Sequence, residues 1–183
     1  NVILNNSEYD EKEKVENSFF FISAGVQSIL QALANCMYIL TTESESWKKI
    51  VDDKQLIPKV IQECLRLQPP TFSVLRRTTQ DVNMGGKTIA ANSAVNVCLM
   101  VANRDPAVFS DPHKFIPHRK ETQLLSFGAG IHKCLGMHLS NQVLSTFIEQ
   151  MAIQKITPKL TPKSSIEFHS DSPFSRGIRR MEI

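Results

Sequence analysis

Apolar residues run along this chain in blocks whose spacing changes twice. From Asn17 to Thr42 no residue is charged, and the run predicts a long helix over 18–40 that is apolar on all sides. Such a helix is either buried in a protein core or set in a membrane. Ser18, Ser23, Gln27, Ser28, Gln31 and Asn35 are costly in lipid, so the expectation is a buried helix of a water-soluble protein with no membrane span. Gly25 interrupts it; a mid-helix Gly costs about 1 kcal/mol against Ala and implies close packing against the backbone. Residues 43–53 predict a short exposed helix around Trp47, and 56–68 another, with Pro58 in its first turn and Pro69-Pro70 ending it. Over 71–101 β-branched residues and an Asn83–Gly86 turn predict small strands and hairpins. Residues 103–126 read as a long loop, 135–153 as a helix, and 155–183 as short strands with turns at Asp171-Ser172-Pro173 and Gly177. Residues 1–16 are polar and read as a flexible lead-in. The fold class is therefore mainly α with small β-sheets.

Composition narrows the classes. The chain has 183 residues, 42% hydrophobic and 21% charged, enough for one core and too apolar for disorder. A net charge of +3 gives no reason to expect nucleic acid as a partner. Cysteines at 36, 64, 98 and 134 form no C-x-x-C pair, which suits a reducing cytoplasm. The chain opens on Asn1 without a signal-peptide pattern, which suggests processing or truncation.

Two nucleotide motifs fail on spacing. Gly86-Lys87-Thr88 lacks the Gly a phosphate loop needs at 81, where Asp81 stands. Gly128-Ala129-Gly130 lacks the third Gly at 133, which is Lys133. The sharper signal is Phe127-Gly128-Ala129-Gly130-Ile131-His132-Lys133-Cys134-Leu135-Gly136: a cysteine in a glycine-rich loop just before a helix. Glycines let the backbone turn tightly, and a helix N-terminus with His132 and Lys133 nearby favours a thiolate, a strong metal ligand. A buried inert cysteine and a zinc site through His132, Cys134 and His138 are the alternatives.

That segment resembles the F-x-x-G-x-(H or R)-x-C-x-G signature of the cytochrome P-450 haem-thiolate enzymes. The resemblance implies that Cys134 is the axial metal ligand of haem b (iron protoporphyrin), and that His132 binds a propionate. Phe127, Gly128, Gly130 and Gly136 shape the loop against the cofactor. Glu63-Cys64-Leu65-Arg66 before Pro69-Pro70 resembles the family's E-x-x-R helix. On a helical wheel of about 100° per residue, Ile57, Val60, Ile61, Cys64 and Leu65 share one face, with Glu63 and Arg66 on the other side. Periodicity alone makes that pair a solvated one worth about 0.2–0.5 kcal/mol. The resemblance instead implies a buried structural triad with Arg119.

Phe21-Ile22-Ser23-Ala24-Gly25-Val26-Gln27-Ser28 resembles the family's oxygen-binding helix, with Ala24 beside haem and Gly25, Gln27 and Ser28 as catalytic candidates. The usual A-G-x-(D or E)-T pattern is altered: Gln27 replaces the acid and Ser28 the threonine. Gln27 cannot titrate, so it positions water without supplying protons as a carboxylic acid does. Arg76 matches a propionate-binding Arg, with Arg77 a weaker candidate. Phe72, Val74 and Phe174 align with substrate-lining segments, and simple core packing is as good a reading of them. Ala102-Asn103-Arg104-Asp105-Pro106 and Phe109-x-Asp111-Pro112 match the stretch before the cysteine loop.

The 38 residues from Gly25 to Glu63 resemble the soluble bacterial branch. The matches cover only the C-terminal part of the family's fold, so 1–183 reads as the haem-binding part of one longer domain. As a piece it would expose a large apolar surface and dissolve poorly. The implied activity is a monooxygenase acting on a small hydrophobic substrate with O2 and a ferredoxin or flavodoxin-type electron donor. The alternatives are a non-catalytic haem-binding or truncated relative, and a peroxide-driven variant.

Overall fold

A computed structural model describes residues 5, 7–120, 123–161, 166–168, 174 and 178–181. Its helices are α1 (Glu11–Thr42), α2 (Ser44–Asp52), α3 (Ile57–Leu67), α4 (Leu99–Ala102) and α5 (Met137–Ile153). Its strands are β1 (Ser73–Arg77), β2 (Val82–Met84), β3 (Lys87–Ile89), β4 (Ala94–Cys98), β5 (Glu167–Phe168) and β6 (Ile178–Arg180). They form three two-stranded antiparallel sheets, β1–β4, β2–β3 and β5–β6. The turns expected at 171–173 and 177 lie outside the described residues.

Helix α1 begins seven residues earlier than the apolar run suggests. Asp10 Oδ1 accepts from the Glu13 N–H at 2.7 Å, and Glu13 Oε2 accepts from the Asp10 N–H at 2.9 Å. This reciprocal cap satisfies two of the orphan donors at the helix start. Residues 11–16 of the expected lead-in are therefore helical. Helix α3 stops where Gln68, the residue before Pro69, leaves the helical region at φ −131° and ψ 70°. The β2–β3 hairpin turns on Gly85 and Gly86, both at positive φ, while Asn83, expected in the turn, is in β2.

The core lies where α1, α2, α3 and α5 meet. Cys36, Ile39 and Leu40 from α1 pack with Trp47 and Ile50, with Val60, Ile61, Cys64 and Leu65, and with Leu144 and Ile148. Each fully buried Leu or Ile contributes about 1.5–3 kcal/mol of burial. Trp47 is buried, so α2 is not the exposed helix expected; its Trp47–Ile50 face closes the core from one end. The Asn35 Nδ2 donates to the Gln68 carbonyl at 3.0 Å and ties α1 to the end of α3.

The expected burial of 18–40 holds only for its second half. Residues 31, 32, 35–37, 39 and 40 are buried, whereas Phe19, Phe20, Phe21, Ile22, Val26 and Leu30 face outward. By length and hydropathy α1 could cross a membrane; its most apolar window is 22% buried.

Leu40→Ala should destabilise the fold by about 2–5 kcal/mol. Leu30→Ala, at a side chain 60% exposed, should stay within about 0.5 kcal/mol. Denaturant melts of both variants check this, and equal costs would place the core boundary elsewhere.

Candidate active site

Two devices shape the cysteine loop. Gly128 and Gly130 have φ of +68° and +65°, the left-handed region. A Cβ on Gly128 would also come within 3.3 Å of the His132 carbonyl. The Cys134 N–H then donates to the Phe127 carbonyl at 2.8 Å and closes the loop, one turn before α5 starts at Met137. The Cys134 side chain is exposed, unlike the buried Cys36 and Cys64. The inert-cysteine reading suits those two instead. Burial pushes the Cys64 thiol well up, and its contact with Cys36 pushes it further.

Cys134 faces a cleft of about 400 Å³. Ala24, Gln27 and Ser28 from α1 line it, as do Val74 and Arg76 from β1 and Phe127, Gly128 and His132 from the loop. Residues from 24 to 134 in the chain thus share one cleft. Thr71, which opens the expected substrate-lining segment 71–75, also lines it, and so do Gln31, Ala32 and Leu144, which were not anticipated. Gly25, Gly130, Gly136, Phe72 and Phe174 are not among the lining residues. The Phe72 N–H donates to the Phe174 carbonyl at 3.0 Å, so these two meet through backbone. Around Gly25 nothing described lies within 4 Å of where a Cβ would be, so the close packing expected there is not seen.

The polar groups have defined partners. Ser28 Oγ donates to the Ala24 carbonyl at 2.6 Å, which leaves its lone pairs as acceptors. Arg76 Nη1 donates to the Leu75 carbonyl at 2.7 Å. Arg77, from the opposite face of β1, donates to the Asn92 carbonyl at 2.8 Å and does not line the cleft. Among the described residues no three His, Cys, Asp or Glu side chains gather as a metal cluster, so His132, Cys134 and His138 do not assemble the zinc alternative.

Behind the cleft, Glu63 and Arg66 are 4% and 1% exposed, contrary to the helical wheel. The wheel missed them because the loop from 109 to 119 covers that face of α3. Arg66 grips both Glu63 oxygens, Nε to Oε2 and Nη2 to Oε1, each at 2.8 Å. Arg119 Nε donates to Oε1 at 2.9 Å, and so does the Ile116 N–H at 2.8 Å. The guanidiniums bond further, and Arg66 uses all five of its donors. Arg66 Nη1 donates to the Asn103 and Pro112 carbonyls at 2.9 and 2.7 Å, and Nη2 to that of Lys114 at 3.0 Å. Arg119 donates to the carbonyls of Ser110, Asp111 and Lys114. Arg66 also sits 5.2 Å over the Phe109 ring. Burial pushes the Glu63 carboxyl up, but the Arg66, Arg119 and Ile116 hydrogen bonds outweigh it and hold the pKa below the usual range. Asn103 and Ser126, not singled out from sequence as site residues, are hydrogen-bonded beside this triad.

The family model for cytochrome P450 matches residues 2–180. The chain belongs to the cytochrome P450 family. Cytochrome P450 119 of Sulfolobus acidocaldarius is 35% identical over 147 residues, covering 80% of this chain and 39% of the relative. The erythromycin C-12 hydroxylase of Saccharopolyspora erythraea is 34% identical over 133 residues, 72% of this chain and 34% of the relative. The crystal structure of CYP109E1 from Bacillus megaterium in complex with testosterone superposes with a TM-score of 0.87 at 27% identity, covering 98% of this chain and 51% of that one. The chain thus spans between about a third and about half of these P450s, and its mainly helical fold with small sheets is that portion of theirs.

The residues present fit haem. One cleft holds an exposed cysteine in a glycine-turned loop, with the His132 imidazole and the Arg76 guanidinium as nitrogen groups on the same lining.

Glu63→Gln should destabilise by about 3–5 kcal/mol, because two buried guanidiniums lose their counter-charge. Because the folded pKa of Glu63 is depressed, its contribution is fully present above the unfolded value of about 4.3 and is lost as pH falls through the lower folded value. Glu63→Gln should therefore lose less stability than the wild type between pH 6 and acid. Melting temperatures across that range check the sign.

Proposed function

We propose that this chain is the C-terminal haem-binding part, residues 1–183, of a haem-thiolate monooxygenase domain. The observation that carries the reading is the single cleft joining Cys134, His132 and Arg76 to the Ala24–Ser28 stretch of α1. Haem b, when bound, would supply O2 cleavage and oxygen transfer to a C–H bond of a small hydrophobic substrate. Cys134 would hold the iron as a thiolate, and His132 and Arg76 would bind the propionates. Phe127 and Gly128 would form the wall beside the cofactor, with Gly130 and Gly136 turning the chain around Cys134. Glu63, Arg66 and Arg119 would hold the loop rigid. Val74 would contact substrate, with Phe72 and Phe174 on the segments leading to it.

On the α1 wall, the Gln27 amide would orient water, and Ser28 Oγ, whose proton is committed to the Ala24 carbonyl, would accept a hydrogen bond from it. Gly25 would keep that wall low. Neither side chain replaces the proton-donating acid, and this favours slow or poorly coupled turnover with O2, or turnover driven by peroxide. Electrons would come from an acidic ferredoxin or flavodoxin-type donor at the exposed face around Lys133, in the cytoplasm.

The reduced, carbon-monoxide-bound spectrum of haem-loaded protein tests the ligand assignment. A long-wavelength thiolate-type Soret band should appear and vanish in Cys134→Ser; its persistence there would reject Cys134. Gln27→Glu should raise the fraction of reductant electrons recovered in product several-fold. No change would show that Gln27 does not limit proton delivery.

A further inference from the structure

The Glu63 triad and Cys134 belong to separate segments, and a specific pair of side chains spans the gap between them. Asn103 is fully buried. Its carbonyl accepts from Arg66 Nη1 at 2.9 Å, its Oδ1 accepts from the Leu125 N–H at 2.7 Å, and its Nδ2 donates to Ser126 Oγ at 2.9 Å. The Leu125 donor fixes which end of the amide is oxygen. Ser126 Oγ donates in turn to the Leu65 carbonyl at 2.7 Å, one residue from Arg66 on α3. The next residue, Phe127, accepts the Cys134 N–H at 2.8 Å. Ser126 and Phe127 also line the cleft.

We propose that Asn103 and Ser126 are positioning residues that couple the Glu63–Arg66–Arg119 triad to the cysteine loop and set the placement of Cys134. Each link is a short, directional hydrogen bond with both partners satisfied. At Asn103 the side chain has no solvent to substitute for a lost partner. A buried relay of this kind allows the loop one arrangement, whereas the loop's own closing bond alone leaves its entry at Leu125 and Ser126 unpinned. For its effect on a metal ligand the proposal rests on the haem-thiolate reading; for its effect on the loop it does not.

The test has two arms. In cofactor-free protein, Ser126→Ala should speed hydrogen exchange at the Cys134 and Gly128 amides about fivefold, the change expected for one lost neutral hydrogen bond. Exchange in α2 should not change, and Ser126→Thr, which keeps the hydroxyl, should restore the loop. Asn103→Ala should produce a larger acceleration confined to the same amides; if that variant does not fold, Ser126→Ala alone decides. Unchanged loop exchange, or equal acceleration in α2, would overturn the relay. In haem-loaded protein, Ser126→Ala should lower the fraction of carbon monoxide complex with the thiolate-type band, and Ser126→Thr should recover it. A wild-type band left intact by Ser126→Ala would overturn the claim on Cys134 placement. Accelerated exchange with no thiolate band even in the wild type would uphold the relay and reject the haem-thiolate reading.

Discussion

The described structure depends on one buried carboxylate. Glu63 is held by two guanidiniums and a backbone N–H, and both guanidiniums donate further to loop carbonyls between 103 and 114. Burying three charges is justified energetically only when every donor and acceptor is matched, and here the matching groups are the backbone of an otherwise irregular segment. The long loop is thereby given a single path without secondary structure of its own. Removing one partner leaves uncompensated buried charge, so the arrangement is all-or-none. That property suits the proposed role of holding Cys134 in one place.

The opposite wall of the cleft is built differently. Helix α1 is anchored by its buried half against α3 and α5, with Asn35 bonded to the end of α3. Its other half projects the Ala24–Ser28 wall and carries large apolar residues outward. Half of the site is thus held by a charge network and half by a helix with one packed end. These exposed apolar residues lie on a chain that spans about half the length of the P450 structure it matches.

How much of this was legible in the sequence divides along physical lines. The cysteine loop could be read because its chemistry is local: two glycines at positive φ, a cysteine, and a helix start. Helix α3 could be read because Pro69-Pro70 ends it and its apolar face repeats every three to four residues. Glu63 and Arg66 could not be placed by periodicity, because what buries them is a loop more than 40 residues away. Their pairing with Arg119 came through the family resemblance. Trp47 was misread as exposed because α2 is short and its charged residues outnumber its apolar ones. The start of α1 was readable in Asp10-x-x-Glu13, a cap pattern overshadowed by the apolar run that follows. Asn103 carried no local signal as a site residue, since its role is visible only once Leu125, Ser126 and Arg66 are adjacent.

In the proposed function this scaffold places one thiolate, that of Cys134, on haem iron. Iron-edge X-ray absorption on the haem-loaded protein tests it most directly. One sulfur scatterer is expected in the iron's nearest shell, absent from Cys134→Ser samples that still contain haem. A nearest shell of nitrogen and oxygen only, or a sulfur that survives the substitution, would contradict it.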